Sequence, residues 1–517
     1  MIFSSHIFLF YFLPAVLFFY YLMVFAGVSL SWINLFVTIM SYVFYGWLHP
    51  WFVTLMWIST IVDYACGRAI SQPDKLTKLR DFKGSDLIDE LKSINVFYPF
   101  FIGIMAIYNQ FVDSEERRTR FIRNFALGTS MAVNLGLLGY FKYAGFFTIG
   151  VNKLMEVFGF GPEMLPVLNV FLPAGISFYT FQTMSYTIDV WRGDAPAVKD
   201  MRTFSCFVAL FPQLIAGPII RYNTVAEQLS FRKHDLSTFA SGAAIFITGL
   251  GKKLLLADAA GQVADAAFGA DSPGVIVSWW GILAYSFQIY FDFCGYSDMA
   301  VGLGRMMGFE FIKNFNAPYR SDSISDFWNR WHISLSTWIR DYLYIALGGN
   351  RKGAARTYYN LVTAMFLCGL WHGAKMTFVL WGVFHGAFLI WERTMGRQPL
   401  YRNLPWPARL AITNAIVLFG WVLFRAPSLD QAVLYWGSMV GAVKPAASAG
   451  LLAAELFSPK HLFEMLVCAF FVWQPIQAHE WVKTLTGPKF VILGFLLLLS
   501  IVTMFTTAFS PFLYFQF

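Results

Sequence analysis

The sequence predicts an all-α polytopic membrane protein, and three observations carry that reading. Hydrophobic residues make up 57% of the 517 positions, while Asp, Glu, Lys and Arg together reach only 13%, about half the quarter usual in water-soluble domains. The mean hydropathy is +0.55, which leaves a water-soluble fold nowhere to put its apolar surface. The apolar residues also gather in separate runs, and at about 20 positions per spanning helix their number allows roughly fifteen spans at most. The formal net charge of +8 reads as the Lys and Arg surplus of cytoplasmic loops. The basic residues form no block, so no nucleic-acid partner is expected.

The first residues, Met1–Phe8, have no basic region and no small-residue cleavage site follows them, so they open a first membrane helix rather than a signal peptide. Spans are expected near 5–26, 31–48 and 51–67, with Pro14 and Pro50 as points where a helix can break. The first basic residues, Arg68, Lys75, Lys78, Arg80, Lys83 and Lys92, share one loop. That places the loop in the cytoplasm and the N-terminus outside. Further apolar runs lie near 94–112, 124–141, 143–160, 165–190, 203–220, 238–257, 276–293 and 296–312, then 357–371, 376–392, 408–424, 431–443, 461–477 and 489–509. Several are too short for a full span, which predicts tilted or re-entrant helices. No soluble domain or linker interrupts them, so residues 1–517 are read as a single membrane domain. The five cysteines, Cys66, Cys206, Cys294, Cys368 and Cys468, are odd in number and far apart. They read as buried core residues, and no metal site is expected.

Ionisable residues inside apolar sequence are expensive and therefore informative. Of eight histidines, His6, His49, His234, His461 and His479 fall at boundaries or in loops, and His385 reads as structural. His372 ends an apolar run between Gly369 and Gly373, small residues that let a neighbouring helix approach. Its imidazole suits a neutral general base as well as it suits a hydrogen bond between helices. His332 lies in the densest polar stretch, Ser321–Arg340, where Asp322, Asp326 and Arg330 recur every four residues on one helical face among Trp328, Trp331 and Trp338. An amphipathic interfacial helix accounts for most of that stretch but not for His332. Pro212, Gly217 and Pro218 break the segment Phe211–Arg221, which holds Gln213 and reads as a cavity wall. Tyr290–Gly304, with Asp292 and Asp298, is too polar to face lipid. After Phe509 the tail Ser510–Phe517 carries Tyr514, which reads either as an interfacial anchor or as an acyl acceptor.

Several long blocks resemble the membrane-bound O-acyltransferase family, within it the bacterial branch typified by the alginate O-acetyltransferase membrane subunit. They are NFNAPYRSDSISDFWNRWHISLSTWIRDYLYIALGGNR (Asn314–Arg351), CGLWHGAKMTFVLWGVFHG (Cys368–Gly386), FLPAGISFYTFQTMSYTIDVWRGD (Phe171–Asp194), FPQLIAGPIIR (Phe211–Arg221), YFDFCGYSDMAVGLG (Tyr290–Gly304) and the start Phe3-Ser4-Ser5. Cys294 stands where relatives often carry serine, and the interval 68–123 is longer than the family pattern.

The resemblance implies a ring of transmembrane and re-entrant helices around a thinned centre with an acyl-transfer tunnel. It implies that His372 is the catalytic histidine and His332 the second functional polar residue, with Trp371, Asp326, Arg330, Trp328 and Gln213 as tunnel or supporting residues. It likens the tail to the aromatic C-terminal motif of acyl-relay systems, with Tyr514 the carrier. No permanently bound cofactor is expected, and acetyl-CoA is the expected donor. The expected partners are a periplasmic SGNH-hydrolase-like acetyltransferase, a polysaccharide synthase or export machinery, and membrane lipids. The expected location is a bacterial inner membrane with both termini outside, and the expected activity is O-acetylation of an exopolysaccharide. Transfer of another acyl group such as D-alanine to an envelope polymer is the alternative. A transporter or flippase is remoter, because the paired halves of such proteins are not found in the sequence.

Overall fold

Apolar sequence with no water to bond its backbone satisfies its amides internally, and the chain does so with helices; no strand occurs among the described residues. The computed structural model describes residues 1–73, 98–112, 114–161, 164–396, 398–399, 401–507 and 512–513. The first three runs become α1 (Phe8–Phe25), α2 (Leu30–Gly46) and α3 (Phe52–Ser71). Pro14 does not break α1; it is the second residue of the regular segment Leu13–Phe25, directly after a π turn over Phe8–Phe12. The run at 94–112 yields the helix Tyr98–Phe111, and the basic residues Lys75 to Lys92 lie outside the described residues.

Other runs divide differently from expectation. Those at 124–141 and 143–160 form one helix, α4 (Glu115–Val157), because Lys142 between them is buried and bonded inside the fold. Gly175 and Gly193, at φ +79° and +84°, frame α5 (Ile176–Arg192). The run at 203–220 is helical only over Met201–Ala209, since Pro212 and Pro218 lack the N–H a helix needs. Next come α6 (Leu236–Phe268), which contains a π turn at Lys252–Ala257, and α7 (Val275–Met306), which fuses the runs at 276–293 and 296–312. The short helices α8 (Ile324–Arg330) and α9 (Ile333–Trp338) precede α10 (Gly353–His372), α11 (Met376–Thr394), α12 (Trp406–Arg425) and α13 (Gly487–Thr506). Among the described residues α1, α6, α12 and α13 are long and apolar enough to cross a membrane. All five cysteines are buried and free.

Ser321–Arg340 is not one amphipathic helix. The Ser323 side chain caps α8 by accepting the Asp326 N–H at 3.0 Å, so Asp322 lies before the helix and pairs with Arg409 at 3.1 Å. Asp326 and Arg330 do pair, at 2.9 Å.

The centre of the fold is the packing of α6 on α7. Gly242 faces Gly302 and Gly249 faces Gly295, which makes the helices antiparallel. Seven residues are close to two helical turns, so both contacts fall on one face. A Cβ on Gly249 would stand 2.5 Å from the Gly295 carbonyl oxygen, closer than any side chain allows. The short separation brings the π turn of α6 against α7, where Lys253 pairs with Asp292 at 2.7 Å and Lys252 with Asp298 at 2.6 Å. Asp63 of α3 accepts bonds from Ser130 (2.5 Å) and Asn134 (2.8 Å) of α4, tying those helices together. Gly249→Ala is expected to cost about 1–3 kcal/mol through forced separation of the helices. Gly128→Ala on α4, where a Cβ meets nothing within 4 Å, should instead gain about 0.5–1 kcal/mol. Thermal unfolding of the detergent-solubilised protein measures both.

Candidate functional site

His372 is the last residue of α10, and α11 packs hard against that end. Gly369 and Gly382 touch backbone across the crossing: a Cβ on Gly369 would strike the Phe378 carbonyl, and one on Gly382 the Met365 carbonyl. The final carbonyls of α10 are taken by α4. The Lys142 ammonium donates to the Trp371 carbonyl, and the Tyr143 hydroxyl donates to the Leu370 carbonyl at 2.6 Å. A cation against C-terminal carbonyls is the favourable sense for a helix dipole. Lys142 also stands 5.6 Å from the Trp371 ring centroid, a cation–π distance.

The His372 imidazole is 5% exposed and meets Trp381 and Phe424 edge-on, each with centroids 5.1 Å apart. It faces a narrow cavity of about 20 Å³, enough for a water molecule or two. Asp292, Phe293 and Trp331 line it, and so do Phe512 and Leu513 from the C-terminal segment. The Phe512 ring packs on Tyr296 at 4.8 Å and Phe293 at 6.3 Å, and the Leu513 N–H donates to Asp292 Oδ2 at 2.8 Å. Phe512 and Leu513, the described residues of the tail, therefore lie at the cavity that His372 lines. Tyr514 lies outside the described residues.

His332 is fully enclosed and occupies the left-handed region, φ +45° and ψ +55°, between α8 and α9. That conformation costs an imidazole-bearing residue roughly 1–2 kcal/mol, and such strain gathers at functional positions. Neighbouring bonds hold it: the Ile333 N–H donates to the Asn314 carbonyl at 2.9 Å and the Asn316 N–H to the Arg330 carbonyl at 3.0 Å. Asn314 Oδ1 accepts the Ser334 N–H at 3.1 Å, and His332 Nδ1 lies 3.2 Å from the same oxygen. An oxygen already facing a backbone donor requires a proton on Nδ1, which leaves Nε2 as an acceptor. Nε2 has no hydrogen-bond partner among the described residues. Phe293, 4.6 Å from His332 between centroids, also lines the His372 cavity, and Trp371 neighbours both rings at 6.3 and 5.0 Å.

The other expected residues scatter. Trp371 belongs to the centre. Trp328 stacks edge-on to Trp381 at 5.6 Å and to His385 at 5.3 Å, which makes it part of the wall behind His372. His385 is buried among these rings. Gln213 donates to the Phe207 carbonyl at 3.1 Å and is not among the residues lining the cavity. Its segment touches the site elsewhere, through the Ile219 N–H on Ser334 Oγ at 3.0 Å. Asp326 and Arg330 pair at a partly exposed edge, and Arg330 borders a separate cleft with Asn316 and Arg320. Sequence reading passed over Lys142, Lys253 and Asn314. Lys142 was visible as a lone charge and Lys253 as one of two consecutive lysines in apolar runs; Asn314 gives no local signal.

Residues 1–429 match the family described as MBOAT, membrane-bound O-acyltransferase family, a span that includes both central histidines. Over its full length the chain is 38% identical to the whole of the probable alginate O-acetylase AlgI of Pseudomonas putida. It is 43% identical to the probable alginate O-acetylase AlgI of Pseudomonas aeruginosa over 84% of this chain and 73% of that one. The peptidoglycan O-acetyltransferase of Helicobacter pylori is 35% identical over 67% of this chain and 71% of its own.

The left-handed turn gives a test independent of activity. His332→Gly should be more stable than His332→Ala by about 1 kcal/mol, because glycine adopts positive φ without strain; paired melting curves measure the difference.

Proposed function

The chain belongs to the membrane-bound O-acyltransferase family, and on that premise we propose that it moves an acetyl group from a cytoplasmic thioester towards a cell-envelope polysaccharide. As a member it is an O-acyltransferase of a membrane. The polysaccharide and the acetyl group are suggested by relatives named alginate O-acetylase and peptidoglycan O-acetyltransferase. The observation that carries the reading is the enclosed cavity in which His372 faces the tail segment Phe512–Leu513.

In this reading acetyl-CoA is the donor and His372 the general base. A hydroxyl gives its proton to the imidazole as its oxygen attacks the thioester carbonyl, so a C–O bond forms and the C–S bond breaks. The proton then passes to the departing thiolate, releasing free CoA. His332 does not suit oxyanion stabilisation, because the tautomer held by Asn314 leaves Nε2 without a proton to donate. The apolar wall of Trp371, Trp381 and Phe424 keeps water away from the reacting carbonyl. Lys142 fixes the end of α10 and with it the position of His372.

The finer expectations form part of the same proposal. The chain is one membrane domain whose helices ring a thinned centre with a tunnel, in a bacterial inner membrane with both termini outside. Tyr514 takes the acetyl group first, and a periplasmic SGNH-hydrolase-like partner passes it to an exopolysaccharide made by a synthase or export complex. Trp328 and Gln213 support the wall, while Asp326 and Arg330 brace the approach to it.

His372→Ala should lower polysaccharide acetylation by at least about 100-fold with the protein still in the membrane. Acetylation at the wild-type level overturns the assignment, and labelling from a D-alanyl thioester rather than from acetyl-CoA shifts it to the alternative cargo. For the relay, Tyr514→Phe should abolish transfer to the partner, since the acceptor oxygen is gone. Transfer at the wild-type rate reduces the tail to an anchor.

A further inference from the structure

The mechanism above leaves one buried charged group of the cavity without a task. Asp292 stands midway along α7 and lines the cavity with His372. Its two carboxylate oxygens face different partners: Oδ1 meets the Lys253 ammonium at 2.7 Å, and Oδ2 accepts the Leu513 N–H at 2.8 Å. Lys253 is held from its other side by Asp258 at 2.6 Å. The carboxylate is thus anchored on the helix pair α6–α7 and reaches across the cavity wall to the backbone of the tail. An ionised carboxylate is a strong acceptor for an amide, and the bond gains strength where water is excluded. A contact to backbone reads no side chain, so it fixes where the segment lies. The ring of Phe512 between Phe293 and Tyr296 supplies a second fixed point. Two fixed points set both the position and the direction of the segment.

We propose that Asp292 is a positioning residue: its carboxylate, held by Lys253, clasps the Leu513 amide and so presents the C-terminal tail to His372. The proposal rests on the reading that the tail takes part in acyl transfer through Tyr514, the residue next in sequence. Asp292 performs no proton transfer. It sets the register in which the tail enters the site, and Lys253 keeps it charged and aimed. The neighbouring pair Lys252–Asp298 joins the same two helices at 2.6 Å and, among the described residues, makes no hydrogen bond to Phe512 or Leu513, which makes it the control for a purely structural role.

The experiment uses the full-length protein in its membrane with Leu513→Cys as reporter, read by a small membrane-permeant thiol reagent over the background of the five buried native thiols. Asp292→Ala should raise the labelling rate of the reporter by at least about tenfold, the loss of one charge-assisted hydrogen bond. With the native Leu513 the same variant should lose acetyl transfer by a similar factor. Asp298→Ala should leave the reporter protected. The variant Asp292→Asn keeps an acceptor oxygen while Lys253 keeps Asp258 as its partner, and it should restore most of the protection. Unchanged labelling in Asp292→Ala overturns the clasp, as does equal labelling in Asp298→Ala. A released tail with full acetyl transfer overturns the positioning role. The reading beneath it fails separately, on Tyr514→Phe.

Discussion

Lys253 meets Asp292 where both side chains are almost wholly enclosed, 4% and 2% exposed, and charge in that setting is tolerated because each group finds the other. The pairing requires that α6 and α7 approach more closely than side chains permit, which the facing glycines at 242, 249, 295 and 302 allow. The close approach in turn places Asp292 at the wall of the His372 cavity and gives the tail an acceptor. Packing, charge and site geometry are therefore one constraint seen at three levels. Removing Lys253 strands Asp292, whereas without Asp292 the ammonium keeps Asp258 at 2.6 Å.

The two histidines are held by unlike means. His372 is placed by helix packing: glycines let α11 in, and α4 supplies a cation and a hydroxyl for the last carbonyls of α10. His332 is placed by a backbone turn that its own residue type disfavours, maintained by Asn314 and its surroundings. One ring is thus set by rigid helix packing and the other by a strained turn. Trp371, which neighbours both rings, fixes the spacing between them.

Much of this was legible in sequence, for reasons that differ by residue. Apolar runs name helices because burial and hydrogen bonding act locally, and α1 to α3 fall within a few residues of expectation. His372 stood out because an imidazole between two glycines in an apolar run has few explanations. The fused helices α4 and α7 were not legible, since Lys142 and Gly295 look like breaks until their partners on other helices are known. The turn at His332 was hidden because left-handed backbone is written by glycine or asparagine, and here a neighbour 18 positions away imposes it. The seat of the tail was hidden for the same reason: Leu513 bonds to a residue 221 positions earlier.

The π turn at Lys252–Ala257 bears on how this segment can vary between descendants of the gene. Such a turn absorbs one residue more than an ordinary turn of helix. Wound as a plain helix, the same residues would rotate everything beyond Ala257 by about 100°. Ala267, which now abuts Gly281 of α7, would then look away from it. Inside this turn the number of residues is therefore held more tightly than their identity: outside the paired lysines, drift can respell it, but an added or lost codon turns half a helix out of register.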